Sequence, residues 1–200
     1  MLRKDELIVA RTSLARAFDA DPLFQFLFPR EKQRRRWLDI IMAGTIAETL
    51  ADNHVFVPTS PAGGPAVGVM AIVPPNAYPT PSSRDWQFIW NRRERPSFSL
   101  PPFRLLRSAF PALSAIRKLH IKQPHYYLQT VGVHPDHKGK GVGGLFMREL
   151  CDMADQAGVA AYLETSNPAN LGFYRRFRFE ELDRLDTPGG GPPIWTMLRV

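Results

Sequence analysis

Residues 128–147 read Leu-Gln-Thr-Val-Gly-Val-His-Pro-Asp-His-Lys-Gly-Lys-Gly-Val-Gly-Gly-Leu-Phe-Met, and the rest of the architecture can be worked out from there. A β-rich run enters a turn, glycines fall at 139, 141, 143 and 144, and a helix begins at once. That helix, read as Val142–Ala157 and stopped by Gly158, offers an apolar face of Leu145, Phe146, Leu150, Met153, Ala154 and Ala157. Glycines between a strand and a helix N-terminus let backbone N–H groups converge on an anion, and the helix dipole adds favourable potential. Lys138 and Lys140 bring positive charge beside them. These are the parts of a pyrophosphate cradle, although a plain strand–turn–helix with close packing would use similar glycines. The spacing matches neither a Gly-Lys-Ser/Thr phosphate loop nor the dinucleotide fingerprint G-x-G-x-x-G.

Working outward, His125–Val133 is the strand that feeds the turn, and Ala160–Glu164 is a strand after the helix. Pro168–Arg176 reads as a further helix, and strands follow near 178–186 and 193–199. Upstream, residues 5–11 read as a short strand leading into a helical stretch to about Asp19. Asp21-Pro22 breaks the chain before a dense apolar patch, residues 23–28, closed by Pro29. Apolar spacing predicts a helix from Glu31 to about Asp52, then strands at His54–Val57 and Ala66–Val73 joined by the Pro61–Pro65 turn. Alternating strands and helices in the last third point to an α/β (α+β) fold.

The second informative stretch is Tyr162-Leu-Glu-Thr-Ser-Asn-Pro-Ala-Asn-Leu-Gly-Phe-Tyr-Arg-Arg-Phe-Arg-Phe179. With it, the chain resembles the GNAT superfamily of N-acetyltransferases, which use acetyl-coenzyme A (acetyl-CoA). The family's pyrophosphate motif, Gln/Arg-x-x-Gly-x-Gly/Ala, is met by Lys138, Gly141 and Gly143, with lysine replacing the planar fork of arginine. Its later motif, an asparagine followed by Phe-Tyr-x-x-x-Gly-Phe, is met by Asn170, Phe173, Tyr174 and Phe179. Arg178 stands at the glycine position. Leu-Glu-Thr-Ser-x-Pro and the early Asp-Pro-Leu-Phe are similar to puromycin N-acetyltransferase-like members.

The resemblance implies one GNAT-type domain over residues 1–200, with a mixed, mostly antiparallel twisted sheet and helices on both faces. It implies that the 128–133 strand splits from its neighbour near a bulge, where the N–H groups of Val131 and Val133 hold the pantetheine and polarise the thioester. Lys138, Gly139, Lys140, Gly141, Val142, Gly143 and Gly144 would hold the pyrophosphate, with Asn170 and Phe173 also touching the cofactor. Tyr174 would be the general acid toward the departing thiolate. Glu164 is the first candidate base, with Asp21, Glu48 and His125 also open. The implied reaction moves acetyl from acetyl-CoA to the amine of a small molecule by direct attack in a ternary complex. A non-catalytic acyl-CoA sensor is the alternative.

Composition sets the boundaries. Of 200 residues, 44% are hydrophobic and 22% charged, which excludes a disordered or fibrous chain. The single cysteine, Cys151, allows no internal disulfide, no Cys/His cluster has metal-ligand spacing, and no leader is apparent, so a cytoplasmic protein without metal is expected. The longest uncharged run, Asn53–Ser83, holds seven prolines and is excluded as a membrane helix. The net charge of +7 sits wholly in residues 81–124, which hold nine basic and two acidic residues. That segment also carries six large aromatics and six prolines, with short helices expected near 84–95 and 102–120. It reads as a basic, aromatic-rich helical insert beside the acceptor site. A nucleic-acid module built on its arginines is the weaker rival, because it leaves Asn170 and Tyr174 unexplained. A homodimer is left open.

Overall fold

The computed structural model describes residues 4–50, 55–56, 67–75, 77, 115–116, 119–187 and 189–200. In chain order these form α1 (Lys4–Ala17), α2 (Pro22–Leu27), α3 (Glu31–Leu50), β1 (Val55–Phe56), β2 (Gly68–Val73) and β3 (His125–Val133). Then follow α4 (Val142–Ala157), β4 (Ala160–Thr165), α5 (Leu171–Arg175), β5 (Glu180–Leu185) and β6 (Ile194–Arg199). The strands make one sheet, ordered β1-β2-β3-β4-β6-β5. Every neighbouring pair is antiparallel except β3 with β4, which α4 joins as a parallel pair.

Helices cover both faces, and strand alternation shows how. On β2, Met70 and Ile72 join the core under α4 with Phe146, Met147, Leu150 and Ala154, whereas Val69 joins Ala10, Leu14, Leu38 and Met42 of α1 and α3. The α4 stripe keeps Phe146, Leu150, Met153 and Ala154 of the sequence reading and differs at its edges. Met147 and Cys151 are buried within it, while Leu145 stands 55% exposed and Ala157 is exposed. The register of Phe146, Leu150 and Ala154 carries the packing, which leaves Leu145 at its outer edge. Arg199 closes the sheet onto this helix with two bonds to Asp155, at 2.6 and 2.7 Å.

The strand expected over residues 5–11 is instead part of α1. Ile8-Val9 read locally as strand, but Ala10, Ser13 and Leu14 are buried at helical spacing. Leu14 and Ala17 bring the helix against bare backbone: a Cβ at Gly132 would fall 2.7 Å from Leu14 Cδ1 and 2.8 Å from Ala17 Cβ. Gly132→Val is therefore expected to lower stability by about 1–3 kcal/mol in a thermal melt, because α1 must move off the sheet. The apolar patch at 23–28 becomes α2, with Asp21 as its N-cap and Pro22 in its first turn. The helices expected within 81–124 lie outside the described residues, except positions 115, 116, 119 and 120, which are helical. The Pro61–Pro65 turn also lies outside them. No described helix is long and apolar enough to cross a membrane.

Candidate active site

The parallel ladder between β3 and β4 runs from His125↔Ala160 to Leu128↔Leu163 and goes no further, although β3 continues to Val133. A register slip opposite Ala71/Ile72 pairs those residues with Thr130 and Leu128, so Gln129 is an extra residue on β3. The bulge reverses the alternation, so Val131 and Val133 face the α4 core, as Leu128 does before it. The N–H of His134 bonds Val67 O on the β2 side at 2.9 Å. Alternation then turns the N–H groups of Val131 and Val133 to the opposite edge, into the gap that opens beyond Leu128. Backbone donors fixed beside such a gap suit a polarised carbonyl.

The cradle lies at the end of β3. Gly139 and Gly141 have φ of +76° and +83°, left-handed conformations that fold the turn back onto α4. Gly141 caps α4 with no side-chain bond, and the first intrahelical N–H is that of Leu145, bonding Gly141 O at 3.1 Å. The N–H groups of Val142, Gly143 and Gly144 therefore precede the helical ladder. No acidic residue occupies this first turn, and Lys138 and Lys140 are exposed next to it. Gly143 has no side chain because Phe173 needs the space: a Cβ there would be 3.3 Å from that ring. Two cations not anticipated from the sequence complete the surroundings. Arg148 Nη1 lies 3.5 Å from the position of a Cβ on Gly144, and the Arg176 guanidinium lies 5.3 Å from the Phe173 ring centre. Arg148 follows Gly144 by one helical turn, which was the available signal.

Across the gap, α5 presents Tyr174, only 6% exposed. Burial first, and the charge of Asp21 second, push its phenol up to about 12. Asn170, one turn earlier, donates from Nδ2 to Thr165 Oγ1 at 3.4 Å and so ties α5 to the end of β4. Of the candidate bases, Glu164 has both oxygens engaged: Tyr162 donates to Oε1 at 2.8 Å and Tyr127 to Oε2 at 3.2 Å. His125 begins β3, at the end away from the gap, with Nδ1 3.0 Å from Gln123 O. The side chain of Glu48 lies outside the described residues. Asp21 is at the gap's end of the sheet, because Ser166, immediately after β4, donates to its Oδ1 at 3.1 Å. Burial raises the Asp21 carboxyl above its ordinary range despite bonds from Ser166, Leu23 and Phe24. Burial likewise pushes the Cys151 thiol up, keeping it protonated and a poor nucleophile.

The family model for the acetyltransferase (GNAT) family matches residues 23–179, a span that holds the split strands, the cradle and α5. The chain belongs to the GNAT family. It is 37% identical over 57 residues to the N-alpha-acetyltransferase RimI of Mycobacterium tuberculosis, and that match spans 28% of this chain and about a third, 36%, of that curated relative. Solved structures agree on the fold. The histone acetyltransferase HPA2 and related acetyltransferase from Corynebacterium glutamicum superposes with TM-score 0.66 at 22% identity, over 98% of this chain and 92% of its own. Arylalkylamine N-acetyltransferase 2 from Aedes aegypti gives 0.67 at 14% identity, over 100% and 96%.

GNAT proteins use acetyl-CoA as co-substrate, and the residues present suit that molecule. The cations and N–H groups at the start of α4 suit its pyrophosphate. Family membership also explains Arg178. It has φ +63°, the one described non-glycine residue with positive φ, at the position where the family motif has glycine. Its N–H and that of Phe177 bond back to Arg175 O and Tyr174 O, closing α5. Arg178→Gly is expected to keep the fold and raise stability by up to about 1 kcal/mol in a thermal melt, since left-handed strain outweighs glycine's extra chain entropy.

Proposed function

We propose that the protein transfers the acetyl group of acetyl-CoA to the amine of a small molecule, by direct attack while both substrates are bound. The observation that carries this reading is the departure of β3 from β4 beyond Leu128, which turns the Val131 and Val133 N–H groups into the gap. In this reading Val131 and Val133 bind the pantetheine and the thioester carbonyl. Lys138, Gly139, Lys140, Gly141, Val142, Gly143 and Gly144 hold the pyrophosphate, and Asn170 and Phe173 line the cofactor's path. Loss of one donor to a developing oxyanion costs about 3–4 kcal/mol in comparable acyl transfers, so these two backbone groups carry much of the catalysis.

Tyr174 faces the departing sulfur. A phenol at about 12 keeps its proton throughout the working range, so it donates a hydrogen bond to the sulfur as the C–S bond lengthens. Glu164, sequence's first candidate base, has the two phenols of Tyr127 and Tyr162 to hold, and these pin β3 to β4 just before they part. The insert expected over 81–124 lies outside the described residues, apart from positions 115–116 and 119–124. Thiol release from acetyl-CoA by the purified protein with a panel of amines tests the proposal: amine-dependent release supports it. Binding without release would make the domain a sensor of acyl-CoA.

A further inference from the structure

We propose that Asp21 anchors the incoming amine and accepts its proton, and that the acceptor is a primary alkylamine arriving as its ammonium ion. This deepens the acetyl-transfer reading and rests on it. The first support is how the carboxylate is divided. Oδ1 takes all the bonds, from Leu23 N–H at 3.0 Å, Phe24 N–H at 3.4 Å and Ser166 Oγ at 3.1 Å. Oδ2 has no hydrogen bond among the described residues. One oxygen is fixed by the protein, and the other is left for a ligand.

The second support is charge. A carboxylate drawn partly out of water gains from meeting a cation, and Asp21, partly buried, forms no ion pair among the described residues. The two described arginines nearby are engaged elsewhere: Arg34 Nε and Arg35 Nε hold Asp19, at 3.0 and 2.8 Å, and Arg34 Nη1 bonds Phe28 O at 3.1 Å. Of the other segments packed here, the residue after β4 is the neutral Ser166, and α5 contributes the neutral phenol of Tyr174. An ammonium group would supply the missing positive charge at the mouth of the strand gap.

The third support is the effect on Tyr174, whose phenol is held up partly by the negative charge of Asp21. When Asp21 takes a proton from the ammonium, that charge disappears and the phenol becomes the better donor. The proton count then closes. The ammonium gives one proton to Asp21, and the free amine attacks the thioester carbonyl carbon. The C–N bond forms, the C–S bond breaks, and the leaving thiolate takes the Tyr174 proton. The nitrogen's surplus proton restores the phenol, and Asp21 returns its own to water. Acid–base assistance of this kind is worth about 10²–10⁴-fold in rate.

Asp21→Asn keeps an oxygen for the α2 cap and for Ser166, so the melting temperature checks that the fold stands. Thiol release would be followed at saturating acetyl-CoA with butylamine and 2-phenylethylamine, cations near neutral pH, and with 2,2,2-trifluoroethylamine, which is largely uncharged there. The expected result is about a 100-fold loss of kcat/KM for the two cations, a loss of only a few-fold for the neutral amine, and acetyl-CoA affinity within about twofold. Wild-type kcat/KM should fall as pH drops through the raised carboxyl range of Asp21, and the variant should lack that acid limb. Equal losses for all three amines, or no loss, would overturn the proposal, and so would a wild-type rate without the acid limb should the variant not fold. If acetyl-CoA binds yet no alkylamine is acetylated, the acceptor class is wrong. If acetyl-CoA does not bind at all, the broader reading fails first.

Discussion

Gly141→Val is expected to abolish acetyl-CoA binding while leaving a folded protein. At φ +83° a β-branched residue is strained by about 1–2 kcal/mol, a loss of stability of a few degrees rather than of the fold. A Cβ there touches nothing within 4 Å, so the variant suffers no clash in the free protein. What it does suffer is a shifted turn and apolar bulk at the mouth of the Val142–Gly144 N–H groups. Displacing the pyrophosphate from those donors and from Lys138 and Lys140 should weaken binding by more than about 100-fold, or 2.7 kcal/mol. Calorimetry with acetyl-CoA measures this directly. Unchanged affinity in a folded variant would move the cofactor elsewhere.

Tyr174→Phe carries the second large effect. The ring packs against Phe173 and Phe179, at 5.4 and 6.2 Å between centroids, and phenylalanine keeps those contacts. Only the hydroxyl is lost, so acetyl-CoA affinity should stay within about threefold while kcat drops by about 100-fold or more. The pH profile should not change shape on the alkaline side below about pH 11, because a phenol at about 12 does not titrate there. A kcat equal to that of wild type would reduce Tyr174 to a packing residue.

Much of this architecture is legible in the chain because α4 and its flanking strands obey local rules. Gly141 and Gly158 punctuate the helix, and Phe146, Leu150 and Ala154 repeat at its period. The first half of α1 was not legible for a physical reason. Two of its buried residues, Ala10 and Ser13, are small, and Leu14 and Ala17 lie against bare Gly132, so no strong apolar stripe marks its start. The resemblance to GNAT proteins implied a bulge, but placing it at Gln129 required the facing register of β2. Asp21-Pro22 was visible only as a break before an apolar patch, and Ser166, which holds Asp21, lies 145 residues away. Glu164 drew attention through its neighbours in the motif, whereas the phenols that occupy it depend on which face of β3 and β4 each residue takes.

The basic excess belongs to a different part of the sequence from the cradle. The arginines at 92, 93 and 95 lie outside the described residues, and the cations that surround the α4 N-terminus are Lys138, Lys140, Arg148 and Arg176. Among the described residues, positive charge around the cradle comes from the motif, from α4 and from the end of α5.

The central claim is acetyl transfer from acetyl-CoA to an amine at the gap between β3 and β4. It is tested most directly by incubating the purified protein with acetyl-CoA and 2-phenylethylamine and counting both released thiol and acetylated amine. Equal amounts of the two, rising with protein concentration, are the expected result. Thiol release without acetylated amine, or tight acetyl-CoA binding with neither product across alkylamines, would contradict it.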